Sequence, residues 1–313
     1  MNAKKFAVGV DIGGTRTKVG LVDLAAGQIV DILINPTVTD DRGRFIASLQ
    51  DALAGIVAAC QENGAEISGI GVGVTGYVNI DSGIVDTTFG FLPFMEDFPL
   101  KAIVEDRLGI ACRVDNDARL NALGEYYWGQ GKGAARLLAI TLGTGVGVGL
   151  IHNGKFLNKH PQEHMAGHIK ISDSGATCYC GQKGCLESRI SAAALLASYR
   201  EHRGPAGSAS ANETETVRAV FQAAEACEPV ASVVIGRFLA DLVTAIDSYI
   251  YVFAPDIIVL GGGVSKNLAP RLREIERRID ARPFSSYHNS LYISALQEEA
   301  GVLGAAALFK SEV

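Results

Sequence analysis

The chain has 313 residues, 48% of them hydrophobic and 20% charged, and a net charge of -6. That length exceeds one ordinary core and suits two, and the acidic balance argues against nucleic acid as the main partner. The apolar run from Phe6 to Val10 is too short for a signal peptide and is broken by Asp11, and no segment is read as approaching the roughly 20 apolar residues that span a bilayer, so a cytoplasmic location without a membrane partner is expected.

Lys5 to Val10 predicts a short apolar strand, and Thr17 to Asp23 a second one beyond a glycine-rich turn. Ala26-Gly27 signals a turn, and Gln28 to Leu33 reads as a third strand. Phe45, Ile46, Leu49, Leu53, Ile56, Val57 and Cys60 recur at helical spacing, which predicts a helix over roughly 43 to 62. Ile70 to Val74 reads as a buried strand ending in Thr75-Gly76. A helix, a strand over Cys112 to Asp115 and a helix from about Asp117 follow. This alternation specifies an α/β chain with much of its sheet parallel. The second half is richer in helix. Val230 to Phe253 can carry one long apolar helix begun by Pro229, Pro255 to Leu260 a strand, and Gly301 to Phe309 a helix of small residues. Gly204 to Asn212, rich in Gly, Ser and Ala, is expected to be a mobile surface loop.

An internal echo organises these elements. Ala7 to Thr15 leads into Val19 to Val22, and Leu138 to Gly145 leads into Val148 to Ile151: strand, glycine turn, strand in both places. Unrelated hairpins would explain either copy, but the likeness across the turn favours a duplicated domain, with the two turns facing each other over a cleft. In Asp11-Ile12-Gly13-Gly14-Thr15 the glycines let the backbone approach a phosphate, and N–H groups of a tight turn form an anion nest. Thr15 adds a hydroxyl, and Asp11 at the strand end is placed to hold Mg2+ through water. The turn is neither a Walker loop nor a Rossmann turn, because no Gly-x4-Gly-Lys-Ser/Thr occurs and a strand follows it. Taken alone, a plain hairpin explains it equally well. Gly143-Thr144-Gly145 supplies a second nest, and Gly261-Gly262-Gly263 after a strand offers backbone to an adenine or ribose. Three such turns at three strand ends are hard to explain as structure alone.

Of six cysteines, Cys60, Cys112 and Cys227 lie in apolar segments and read as buried thiols. Cys178-x-Cys180-x4-Cys185 puts three thiolates in one loop, a pattern for zinc. His168, ten residues before Cys178, is the expected fourth ligand, with His160 and His164 as rivals at four-residue spacing. A disulfide or idle thiols are the competing readings, and a reducing compartment disfavours the disulfide. Four protein ligands leave no open position, so the zinc is expected to be structural.

Asp11-Ile12-Gly13-Gly14-Thr15, Asn116-Asp117-Ala118, Leu142-Gly143-Thr144-Gly145, Gly167-His168, the cysteine motif running on to Leu186-Glu187, and Leu260-Gly261-Gly262-Gly263-Val264 occur in that order. In these pieces the sequence resembles the ROK family (repressors, open reading frames and kinases) from Val8 to about Ala307. The resemblance implies a duplicated actin-like (ribonuclease H-like) sugar kinase fold, with two domains and a cleft between them. The small domain would cover 1–117, joined by a C-terminal helix over 297–313, and the large domain 118–296 with the zinc loop. It also implies a homodimer, ATP with Mg2+, and a hexose or amino-hexose phosphorylated at the 6-hydroxyl. Asp117 would be the base. Asn116 would hold neighbouring hydroxyls, His168 would offer the sugar the ring nitrogen that zinc leaves, Glu187 would accept further hydroxyls, and Gly76 would touch sugar through its backbone. Phosphoryl transfer needs alignment, charge neutralisation and a base near the attacking oxygen, which fits these residues independently. The bland reading of Asp117 is a helix N-cap.

Three positions depart from the family pattern: Met165 stands where a glutamate is usual three residues before the zinc histidine, Thr75 where a proline is usual, and Arg119 just after the catalytic motif. They bear on sugar identity rather than on the phosphate turns. Competing functions are a non-catalytic sugar sensor and a kinase of a sugar-like cyclitol. A sugar-responsive repressor would carry a winged helix-turn-helix before the first glycine turn, where this chain has ten residues.

Overall fold

The computed structural model describes residues 5–62, 65–157, 160–204, 215–281 and 289–310, with the backbone alone for 161–164. β1 (Lys5–Ile12), β2 (Arg16–Asp23) and β3 (Gln28–Pro36) form an antiparallel meander. α1 (Arg42–Glu62) crosses over to β4 (Glu66–Val74), which lies parallel to β1. A small hairpin of β5 (Tyr77–Asn79) and β6 (Ile84–Thr87), then α2 (Leu100–Leu108), lead to β7 (Cys112–Asn116), parallel to β4. α3 (Asp117–Trp128) carries the chain into a second meander, β8 (Arg136–Leu142), β9 (Val146–His152) and β10 (Lys155–Phe156). After α4 (Glu187–Ile190), α5 (Ala192–Arg203), α6 (Val217–Glu225) and α7 (Pro229–Phe253), β11 (Ile257–Gly261) runs parallel to β8. α8 (Leu272–Asp280), β12 (Ser290–Ile293) and α9 (Ala300–Ala307) complete the described elements.

The two large sheets have the orders β3-β2-β1-β4-β7 and β10-β9-β8-β11-β12. These are one plan used twice: a meander, then two strands added in parallel beside its first strand. The echo of strand, glycine turn and strand is the front of each copy, and the fold is the two-domain actin-like α/β fold. β4 buries six consecutive residues, Gly69 to Val74, because helices cover both faces of a central parallel strand. β3, the sheet edge, is mostly exposed and runs three residues beyond the expected Leu33. α1 and α2 cover one face of the first sheet, α5 to α8 cover the second sheet, and α3 and α9 fill the space between the halves. α9 lies directly on strand backbone: a Cβ at Gly71 would stand 1.8 Å from the carbonyl oxygen of Ala305, and one at Gly9 1.9 Å from that of Val302. A helix of small residues is what such close approach demands.

Two expectations change. α1 and α7 are each long and apolar enough, by length and composition, to cross a membrane, contrary to the reading that no segment is. Each buries one face in a core instead, Phe45, Leu49, Leu53 and Ile56 of α1 and Ile235, Phe238, Leu242 and Tyr249 of α7. Cys227 is exposed rather than buried, because it sits at a positive φ of 61° in the turn between α6 and α7. Cys60 and Cys112 are buried as expected. The loop expected over Gly204 to Asn212 lies, beyond Gly204, outside the described residues.

Candidate active site

A cleft of about 780 Å3 opens between the halves, and the ends of β1, β7 and β8 meet there. Asp11, the last residue but one of β1, and Gly13, Gly14 and Thr15 of the following turn line the cleft with Gly143, Thr144 and Gly145 from the second copy. Each turn is tied by a backbone bond, Gly13 N–H to the Arg16 carbonyl and Gly143 N–H to the Gly145 carbonyl, both 3.0 Å. Gly262 and Gly263 also line it, whereas Gly261 is still in β11 and lines a separate small cavity. Gly262 has a φ of 80°, and a Cβ there would meet the Leu142 carbonyl at 2.4 Å, so the turn after β11 requires glycine.

At the β7–α3 junction Asn116 is the N-cap. Its Oδ1 accepts from the N–H groups of Ala118 at 2.8 Å and Arg119 at 3.4 Å. Capping therefore falls to Asn116, and Asp117 is free of that duty as the first helical residue, its carboxylate accepting from Ala118 N–H at 2.9 Å. The Asn116 amide also donates to the Gly76 carbonyl at 3.2 Å, holding the turn before β5 against the helix start. Gly76 has a φ of 101°, and a Cβ there would meet the Thr87 carbonyl at 2.1 Å. Arg119 does not face the cleft. It is buried, its Nε donating at 2.9 Å to Asp115 Oδ1, which also accepts from Asn116 N–H at 2.7 Å, and its guanidinium lies 3.9 Å from the Phe156 ring centre. The unusual arginine braces the segment that presents Asp117.

Two carboxylates share the cleft floor. Burial raises Asp11, and Lys18, 3.5 Å from its Oδ2, opposes the rise. Burial, and next the charge of Asp11, push Asp117 up to about 6. Lys18 also donates to the Glu298 carbonyl at 2.8 Å, and the Glu298 carboxylate draws Arg16 to 3.5 Å and Lys266 to 3.8 Å. Lys18 lies within the first glycine motif, where its alternation with Thr17 could have flagged it. Glu298, 280 residues further on, leaves no such signal.

The cysteine loop meets the cleft from the second half. The donor atoms of His168, Cys178, Cys180 and Cys185 all lie within 4.8 Å of one another, with His168 Nδ1 3.5 Å from Cys178 Sγ and Cys180 Sγ 3.5 Å from Cys185 Sγ. A tetrahedral ion with bonds of about 2.0–2.3 Å needs its donors spaced in this range, so the residues fit a metal. His160 is not in that cluster, and the His164 side chain lies outside the described residues. Burial keeps His168 below its ordinary value, hence neutral, as a ligand must be. Its Nε2 is 2.9 Å from the hydroxyl of Tyr179, the unnamed residue between the first two cysteines. Glu187, buried at the start of α4, accepts from Val146 N–H at 3.3 Å and from Tyr179 at 3.5 Å. Burial, abetted by the Asp117 charge, pushes it up to about 7. Met165 and Thr75 line the same cleft.

The ROK family model matches residues 7–312. The glucokinase of Halalkalibacterium halodurans is 35% identical, over 98% of this chain and 96% of its own. The N-acetyl-D-glucosamine kinase of Vibrio cholerae is 28% identical, over 96% of this chain and 98% of its own. The crystal structure of a ROK family glucokinase from Streptomyces griseus, in complex with glucose and AMPPNP, superposes with a TM-score of 0.81 at 29% identity, over 97% of this chain and 98% of that one. With matching order of motifs, a matching fold and similarity along its whole described length, the chain belongs to the ROK family.

Proposed function

We propose that the protein transfers the terminal phosphoryl group of ATP to the 6-hydroxyl of a hexose or amino-hexose. The chain is an ATP-dependent sugar kinase, and the assignment of hydroxyl, residue roles and metals is the proposal. One observation carries it: the Asp117 carboxylate, relieved of capping by Asn116, stands in a cleft flanked by glycine turns from both sheets.

Asp117 takes the proton as the sugar oxygen attacks phosphorus, the usual role of a positioned carboxylate in phosphoryl transfer. The turns at Gly13-Gly14-Thr15 and Gly143-Thr144-Gly145 cradle phosphate oxygens, Lys18 adds positive charge, and Gly262-Gly263 lie against the nucleoside. Mg2+, held through water by Asp11, would neutralise phosphate charge and so also ease the crowding of two carboxylates. Zinc would be held by His168, Cys178, Cys180 and Cys185, and its cost-relieving charge suits a loop in which burial pushes the Cys185 thiol up to about 12. His168 Nε2, Glu187, the spare N–H of Asn116 and the Gly76 backbone contact the sugar. The same reading divides the chain after Asp117, with α9 returning to the first domain, and makes the working unit a cytoplasmic homodimer.

The test is ADP release over a panel of hexoses, amino sugars and cyclitols, with the product located by phosphorus–proton NMR. A 6-phosphate from a hexose or N-acetylhexosamine is expected. Sugar binding without ADP release would favour the non-catalytic sensor, and turnover confined to cyclitols would overturn the sugar class.

A further inference from the structure

We propose that Tyr179 is a specificity-determining residue whose hydroxyl occupies, before sugar binds, the hydrogen-bonding position of a sugar hydroxyl, so that sugar enters by displacing it. The proposal rests on the reading of His168 and Glu187 as sugar contacts.

The geometry starts with the imidazole. His168 turns Nδ1 toward Cys178, at 3.5 Å, which leaves Nε2 as its cleft-facing atom. That atom and the Glu187 carboxylate are the polar pair a sugar hydroxyl would bridge, one end donating and the other accepting. Tyr179 Oη already bridges them, 2.9 Å from Nε2 and 3.5 Å from Glu187 Oε2. A phenol and an alcohol carry the same donor and acceptor set, so the tyrosine imitates the ligand. Glu187 is buried, and it keeps one hydrogen-bond partner from the backbone, Val146 N–H, whether or not the tyrosine stays. The longer of the two tyrosine contacts is the weaker.

The ring itself is poised to move. Tyr179 is 44% exposed, so one side of the ring is open to solvent. It touches Phe91 edge-on at 5.1 Å and Phe89 at 5.8 Å, both from the loop after β6 in the opposite half of the molecule, and Phe89 in turn packs on Tyr77 at 4.9 Å. Phe89 holds a positive φ of 55°, an unusual conformation for an aromatic residue that brings its ring toward the cleft. These contacts seat the ring while its hydroxyl bridges His168 and Glu187. Because its hydroxyl must be given up, the tyrosine lowers sugar affinity, and it does so selectively against sugars whose own hydroxyl cannot replace both bonds.

The test measures sugar dissociation constants by calorimetry on the full chain with its metal content verified, using glucose and N-acetylglucosamine. Tyr179→Phe keeps the ring contacts and deletes the bridging oxygen. It should lower the dissociation constant about three- to tenfold, the worth of one net hydrogen bond no longer surrendered, and lower KM with kcat unchanged. Tyr179→Met, which removes the hydroxyl by another route, should shift affinity in the same direction. Glu187→Gln, measured alongside, should weaken binding and tests the underlying reading. If Glu187→Gln weakens binding while Tyr179→Phe leaves it unchanged or weakens it, the tyrosine is a brace or a direct sugar contact and the proposal falls alone. If Glu187→Gln has no effect, the assignment of the sugar site fails and the proposal with it.

Discussion

Asp117 is a charge the fold holds at a cost. Its ordinary value of 3.8 is raised to about 6 by burial and by Asp11. A carboxylate raised in this way stabilises the fold only while protonated: that contribution is complete below 3.8 and is lost as pH rises through about 6. Asp117→Asn should therefore lower kcat by about 10²- to 10⁴-fold yet raise the melting temperature by a few degrees at pH 8, with a smaller gain at pH 5. In the unmodified enzyme kcat/KM should fall as pH drops below about 6, where the base becomes protonated. Retained turnover in the variant would assign the proton to another group. Met165 bears on which sugar is used. It lines the cleft near His168, and a thioether accepts hydrogen bonds poorly. A glucose hydroxyl left without a partner there costs about 1–3 kcal/mol, whereas an acetamido methyl would pack against sulfur. Glucose is thus expected to be a poorer substrate than an N-acetylhexosamine, and Met165→Glu to improve it. Kinetics on both sugars for both proteins decide the matter, and glucose turned over as efficiently as any sugar by the unmodified enzyme would refute it.

Among elements, α9 and the cysteine loop carry the sharpest consequences. Gly71→Ala forces a methyl to within 1.8 Å of the Ala305 carbonyl, so α9 must shift off β4. A loss of about 1–3 kcal/mol is expected by overpacking. Gly55→Ala in α1, where a Cβ meets nothing within 4 Å, should instead stabilise by about 0.5–1 kcal/mol through helix propensity. Thermal melts of the two variants moving in the same direction would contradict this account. The cysteine loop is tied to the segment after His168 by backbone bonds, Ile171 N–H to the Gly184 carbonyl and Leu186 N–H to the Ile169 carbonyl, and it sets Tyr179 beside His168 at the cleft. Purified protein should carry one zinc per chain, and Cys180→Ser should reduce zinc content, melting temperature and sugar affinity together. Freshly purified protein free of zinc by elemental analysis would exclude the metal.

At the scale of the molecule, the two copies place glycine turns on opposite walls of one cleft. Closure over bound substrates would exclude water from the transfer. Small-angle scattering should register a smaller radius of gyration when sugar and a nonhydrolysable ATP analogue bind together, and unchanged dimensions would argue for a preformed site. The rings of Phe89, Phe91 and Tyr179 already span the walls, which gives closure a contact to tighten.

Much of this was legible along the chain. Strands β1, β4 and β7, helices α1, α3 and α7, and the echo of the glycine turns are written in local periodicity, and local periodicity is what burial on one or both faces of a strand or helix selects. The cysteine spacing is equally local, since three candidate metal ligands fit within eight residues. Other features depended on contacts between distant segments. Asn116 rather than Asp117 caps α3 because Asn116 ends β7 in the extended conformation of an N-cap, whereas Asp117 is already the first helical residue. Arg119 pairs with Asp115 because β7 delivers that acid beside the first helical turn, and Phe156 covers the guanidinium from another sheet. Glu298 meets Lys18 only because α9 returns to β1. Tyr179, one unremarked letter between two cysteines, gained its place between His168 and Glu187 because the cysteine loop folds back on both, a proximity that no spacing in the chain encodes.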